Sequence, residues 1–360
     1  MRSSLWTPAQ LNRTQELARG FGARVFDFAW VDSFAAARNE SLRHATGKWT
    51  FWMDADDRLD ESNRSKLGSL LASLNGANAA YAMKCLCLPD PISKVATEVD
   101  HVRLFRNHPD VCWEFRVHEQ ILPSLRQLNT EVRWSDVVIH HVGSQDLPLR
   151  RRKLERDWRL LRLEDSDRPN HPFTLFNLGC IAQELGNAAE AIQLFQRSLN
   201  GSQPGDSIVR KLHALLIQCH RQLGQLPEAL EACEAGRQHY PADAELLFQE
   251  GLLHLSMEDR ASAEICFLRV LSTPASRHFR SVDTGVRGYK ARTNLATIYR
   301  DQGRLAEAEA QWRSALAEAS HTVTPTKEGR ARVICETEHP QLTRQPSASP
   351  SQGDHDPISA

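Results

Sequence analysis

The sequence predicts an α/β layered region followed by an all-α array. Three observations carry this reading. To about residue 145, short apolar runs of strand length alternate with helical segments. From about 148 to 319 only helical periods occur, in a helix–turn–helix pattern that repeats. From Ser320 onward the chain is rich in Ser, Thr, Pro, Gln and His, with too few large apolar residues to offset chain entropy.

In the first region, Leu11 to Ala18 reads as a helix closing near Gly20, and Arg24 to Phe28 as a short strand. Ser33 offers an N-cap for a helix through Phe34, Arg38, Leu42 and Ala45, ended by Gly47. Trp49 to Met53 is a continuous apolar run, the pattern of a strand buried on both faces of a parallel sheet. It stops at Asp54. Asp60 can cap a helix running to Leu74, and Ala79 to Leu88, Val99 to Phe105 and Val137 to Ile139 are further strands.

In the second region, Leu175, Leu178, Gly179, Ala182, Gly186, Ala191, Phe195 and Pro204 fit the tetratricopeptide pattern, with the Pro shifted by one residue. Three further repeats follow, with turns at 224, 258 and 303, and residues 276–288 are expected to form a longer loop or an extended helix end. Four stacked units suffice to share a core. The expected organisation is thus a region at 1–145, a linker helix at 146–170, the repeats at 171–319 and a disordered tail at 320–360.

Charge and cysteine content narrow the function. With 44 Lys+Arg against 45 Asp+Glu, the chain has no global drive toward nucleic acid or an anionic membrane. No stretch has the apolar length of a membrane span, and residues 1–30 contain no apolar signal core, so a cytoplasmic location is expected. Eight Cys without a CxxC pair suit buried thiols, and Cys85 and Cys87, alone on one strand face, make a poor metal site. The basic run Arg150 to Lys153 is interleaved with acidic residues and fits a solvated linker helix.

Asp54-Ala55-Asp56-Asp57 directly follows a strand, where open α/β sheets place ligands. Carboxylates at i and i+2 can hold a hard divalent cation, although an acidic loop leading to the Asp60 cap is the plainer reading of the motif alone.

Together with Phe34 to Glu40, Ala45-x-Gly47, Arg103 to Asn107, Arg116 to Glu119 and His140-His141-x-Gly143, this motif resembles the family 2 glycosyltransferases. The resemblance implies a partial GT-A (Rossmann-like) nucleotide-diphospho-sugar transferase domain ahead of the tetratricopeptide solenoid. It implies that Asp54 and Asp56 hold Mn2+ or Mg2+ and the donor diphosphate, with Asp57 beside them. Arg38 and Asn39 become donor contacts, and one His, with His141 chosen, completes the metal shell. An inverting transfer needs a carboxylate base, for which Glu119 is the candidate. A UDP-sugar donor is expected, with a saccharide, lipid or protein acceptor.

The family's opening strand with its Asn-Glu signature, and the following Asp and its turn, have no counterpart beyond Asn12-Arg13-Thr14. The chain is therefore expected to be truncated at its N-terminus. That leaves a second expectation, an interaction module that holds a protein or peptide in the tetratricopeptide groove beside an inactive transferase remnant.

Overall fold

The computed structural model describes residues 8–87, 96–142, 147–203, 205–274 and 281–322. Gly143, Pro204, Cys335 and the expected tail beyond residue 322 lie outside them. Helix α1 (Pro8–Gly20) is followed by α2 (Phe34–Arg43), whose Ser33 hydroxyl accepts a hydrogen bond from the Ala36 amide. The expected strand at 24–28 does not form. Its aromatic side chain packs on α2 instead, Phe26 stacking at 3.6 Å on His44.

A mixed sheet follows: β1 (Trp49–Phe51), β2 (Asp57–Arg58), β3 (Ala79–Cys87), β4 (Thr97–Arg106) and β5 (Glu131–His141), in the order β1-β4-β3-β5-β2. Only β3 and β5 are parallel among these pairs. The apolar run at Trp49 is therefore not a central parallel strand. It forms a short antiparallel strand at the outer edge of β4, with one neighbour and half-buried side chains. Helix α3 (Glu61–Ser73) starts at Asp60, whose carboxylate accepts from the Asn63 amide at 2.8 Å. The short α4 (Leu122–Gln127) leads into β5.

Helix α5 (Leu147–Asp167) opens the helical part. Of its basic residues, Arg150 pairs with Glu184 at 2.6 Å and Arg159 with Asp32 at 2.8 Å, while Leu160 and Leu161 are fully buried. Four helical hairpins follow: α6 (Pro172–Glu184) with α7 (Ala188–Gly201), α8 (Val209–Gln222) with α9 (Leu226–His239), α10 (Ala244–Ser256) with α11 (Arg260–Ser272), and α12 (Ala291–Asp301) with α13 (Leu305–Thr322). Their turns fall at Gly186, Gly224, Glu258 and Gly303, all left-handed in φ. Ala182, Ala191, Ala229, Ala263 and Ala308 are fully buried, which lets paired helices approach. Phe195 lies so close to Gly179 that an added Cβ would sit 2.4 Å from its ring.

The segment before α12 is neither a plain loop nor a helix end. Its described part contains β6 (Ser281–Asp283), antiparallel to Thr97–Val99 of β4, and a π-helical turn at Val286–Lys290. A strand from the repeats thus extends the sheet, along the same edge of β4 that β1 covers higher up. The Trp52 amide and indole close that edge by donating to Arg103 O at 3.1 Å and Val102 O at 2.7 Å. Covering an edge removes the pairing hazard of exposed strand amides. One core cluster joins α5 to α8 with Val117, Trp30 and Phe34 from the sheet region.

Candidate functional site

The chain leaves β1 and turns sharply at Asp54–Asp57. Reciprocal bonds fold the turn: the Asp57 amide donates to Asp54 O at 3.0 Å, and the Asp54 amide to Asp57 Oδ2 at 2.7 Å. Asp57 then pairs in β2 opposite His141. Its carboxylate is wholly buried, accepting from Arg103 Nη1 at 2.7 Å and bonding His141 Nδ1 at 2.9 Å. Burial alone would raise the Asp57 pKa. The bond to His141, the Arg103 charge and the Asp54 amide outweigh it and hold the carboxyl at about 2. The same bond from Asp57 raises the His141 pKa against the opposing effect of burial, with Asp56 adding to the rise.

His141 Nε2 is left facing Asp56 Oδ2 at 3.6 Å. One ligand atom each from Asp54, Asp56, Asp57 and His141 lies within 4.8 Å of the others. Hard carboxylate oxygens with one imidazole suit a divalent cation, and an imidazole steered by a carboxylate on its other nitrogen is the usual outer arrangement at such sites. By this geometry Asp57 positions His141, and it is less suited to the donor contact expected of it because its oxygens are engaged within the protein. His140 faces the other way, 3.5 Å from Asp60 at the α3 cap, as the period of a strand requires.

Arg38 reaches from α2 to Asp54 at 3.0 Å and pairs with Glu119. Burial disfavours the guanidinium charge, and Glu119 and Asp54 more than restore it. The rings of Trp52 and Trp113 flank it at 4.3 and 4.9 Å. Asn39, one residue on, is turned away from this group. Its amide donates to Trp113 O at 2.9 Å and accepts from the Trp113 amide at 2.7 Å, so it fixes the Trp113 backbone rather than meeting a donor.

Glu119 stands on a tight loop that precedes α4. Glu114 and Gln120 exchange both backbone bonds, while Phe115 and His118 take left-handed φ between them. The helical part anchors this loop: the Arg116 amide donates to the buried Glu164 carboxylate at 2.8 Å, and its guanidinium pairs with Asp167 at 2.6 Å. Beside Glu119, a cavity of about 170 Å³ is lined by Trp52, His101 and Trp113 from the sheet side and by Phe173, Phe176 and Lys211 from the helices. Desolvation, aided by the Arg103 charge, pushes His101 down to about 4, so it is neutral near pH 7.

The sequence reading missed what supports these groups. Arg103 entered only as part of a resemblance, yet it is 2% exposed and stacks at 3.8 Å on Trp52 while holding Asp57. An Arg flanked by Val102, Leu104 and Phe105 within an apolar strand run was the available signal.

Residues 7–83 match the model of Glycosyl transferase family 2, and residues 174–200 and 290–319 match Tetratricopeptide repeat models. The chain therefore joins a partial family 2 glycosyltransferase domain to tetratricopeptide repeats. A TPR repeat-containing protein of Synechococcus elongatus is 28% identical over 241 residues, 65% of this chain and 58% of that protein. The prophage-derived glycosyltransferase SunS of Bacillus subtilis is 24% identical over 200 residues, 53% of this chain and 44% of that protein. The chain thus spans about half the length of these relatives. Among solved structures, MamA covers 50% of this chain and 97% of its own at 17% identity, with a TM-score of 0.38. A thermophilic TPR protein of Thermus thermophilus, TTC0263, covers 48% and 89% at 23% identity and a TM-score of 0.35. Among the described residues, no helix is long and apolar enough to cross a membrane.

Proposed function

We propose that the chain transfers a sugar from a nucleotide-diphosphate donor, with a UDP-sugar as the favoured candidate, to a saccharide, lipid or protein acceptor. The convergence of Asp54, Asp56 and His141 on one point, with Asp57 steering the imidazole, carries the proposal. That donor set fits Mn2+ or Mg2+, which when bound would neutralise the charge that develops on a diphosphate leaving group.

The remaining chemistry belongs to the protein. Arg38 lies between Asp54 on the donor side and Glu119 on the acceptor side, so one guanidinium sets the spacing of both carboxylates. Glu119 takes the proton of the acceptor hydroxyl as its oxygen attacks the anomeric carbon, once its carboxylate is released from Arg38. The attack and departure lie on opposite sides of that carbon, and the transfer inverts its configuration. The adjoining cavity, walled partly by the first repeats, is the acceptor side, and Trp52, Trp113, Phe173 and Phe176 line it beside the base.

The test is release of UDP from a panel of UDP-sugars in the presence of Mn2+. Wild type is expected to release UDP, the Asp54→Ala/Asp56→Ala variant to lose both release and donor binding, and Glu119→Gln to lose release while still binding UDP. The second reading, a repeat module that captures a protein partner, is favoured by the wider coverage of the repeat-containing relative. It predicts a folded chain that releases no UDP.

A further inference from the structure

The cavity beside Glu119 measures about 170 Å³. An apolar cavity of about 150 Å³ holds one benzene molecule, so this one has room for a single six-membered ring. Four aromatic side chains line it, Trp52 and Trp113 from the sheet side and Phe173 and Phe176 from α6. Trp52 and Trp113 stand edge to face at 4.9 Å, and the Phe173 and Phe176 rings lie 26° from parallel. Several polar side chains of the lining already have partners. Arg210 pairs with Asp243 at 3.0 Å, Lys211 with Glu245, and Gln120 donates to His118 O at 2.8 Å. The buried Asp100 is likewise engaged, and the Trp52 indole N–H donates to Val102 O at 2.7 Å. Glu119, the neutral His101 and the exposed Ser207 remain to meet an occupant. A pyranose brings several hydroxyls that each need a partner once water is stripped away, and this lining offers them few. An aromatic ring with one hydroxyl needs no more than the lining supplies.

We propose, resting on the transfer reading, that the acceptor group is a phenolic hydroxyl, its ring held among Trp52, Trp113, Phe173 and Phe176 and its oxygen against Glu119. Edge-to-face and offset contacts between rings favour this occupant over an aliphatic ring of the same size. Glu119 takes the phenolic proton as the oxygen attacks the anomeric carbon. The bond from that carbon to the diphosphate breaks, UDP leaves with the electron pair, and an aryl glycoside remains. The proton then passes from Glu119 to solvent. A phenol ionises with a pKa of about 10, far more readily than an alcohol, which eases the demand on a carboxylate base. Two sources share this chemistry, a free small phenol and a tyrosine side chain in a polypeptide.

The experiment pairs binding with transfer on the full chain. The fluorine NMR signal of para-fluorophenol should broaden when the chain is added. Phe176→Leu removes an aromatic wall, and Ser207→Trp adds bulk to the lining at an exposed position where folding is least at risk. Both should weaken the broadening, while Asp54→Ala/Asp56→Ala should retain it although it loses UDP. In the transfer arm, Mn2+ and a panel of UDP-sugars are supplied with para-fluorophenol, a tyrosine-containing peptide, cyclohexanol or methyl glucoside. The two phenols should raise UDP release about tenfold or more above the other two acceptors, with the glycoside found by mass spectrometry. A faster peptide assigns the polypeptide source, and a faster para-fluorophenol the free one. Absence of broadening, broadening unchanged in both folded cavity variants, or UDP release that methyl glucoside accelerates and phenols do not would overturn the phenol proposal alone. A chain that broadens the signal but neither binds nor releases UDP would overturn the transfer reading and the acceptor role with it.

Discussion

Replacing Arg103 with Met leaves the Asp57 carboxylate buried without its cation, in a pair whose side chains are only 2% and 0% exposed and 2.7 Å apart. Breaking a buried pair from one side costs about 3 to 5 kcal/mol, because the surviving charge keeps its desolvation penalty. Asp57 retains its bonds to His141 and the Asp54 amide, which points to the lower end, about 3 kcal/mol. The depressed pKa gives an independent figure. A carboxyl held at about 2 against an ordinary value of 3.8 contributes about 2 kcal/mol above pH 4, net of burial. That stability is present above the unfolded pKa and is lost as pH falls through the folded one. The assay is urea unfolding of wild type, Arg103→Met, Asp57→Asn and the double variant at pH 7, followed by tryptophan fluorescence. The double variant should lose less than the sum of the single losses, with a coupling of roughly 2 kcal/mol or more. A loss below about 1 kcal/mol for Arg103→Met, or strictly additive losses, would refute the reasoning.

Three further outcomes are expected. His101, held at about 4 in the folded chain against 6.5, binds its proton more readily when unfolded, so stability should decline as pH falls from about 6.5 toward 4, and His101→Phe should flatten that slope in melts across the window. Glu258 occupies the third repeat turn at φ 62°, where the other turns have glycine, and Glu258→Gly should raise stability by about 0.5 to 1 kcal/mol in urea titrations, the left-handed strain relieved exceeding the added chain entropy. Gly179→Ala drives a methyl to 2.4 Å from the Phe195 ring and should cost about 1 to 3 kcal/mol, with Phe195→Leu on the same background recovering part of the loss.

Local signals were the ones legible in the sequence. The caps at Ser33 and Asp60 and the repeat turns at 186, 224, 258 and 303 stand where residue type and spacing place them, because each depends on backbone within a few residues. Strand neighbours were not legible. Trp49 to Met53 has the composition of a central strand but lies at an edge, and Arg24 to Phe28 has strand composition and no strand partner, since pairing is decided by chain far away in sequence. The same division holds at the site. Asp54, Asp56 and His141 were named from motif and resemblance and come together in the structure, whereas the clamp of Asn39 on Trp113, the hold of Arg103 on Asp57 and the bond between Asp57 and His141 rest on contacts between residues 46 to 84 positions apart. The strand β6, which joins the repeats to the sheet, lies in a segment whose composition suggested only a longer connection.

The most direct measurement is calorimetric titration of UDP into the folded chain, with and without Mn2+, beside the Asp54→Ala/Asp56→Ala variant. Binding that requires Mn2+ and is lost in the variant is expected. A folded chain that binds no UDP, or binds it equally without Mn2+ and in the variant, would contradict it.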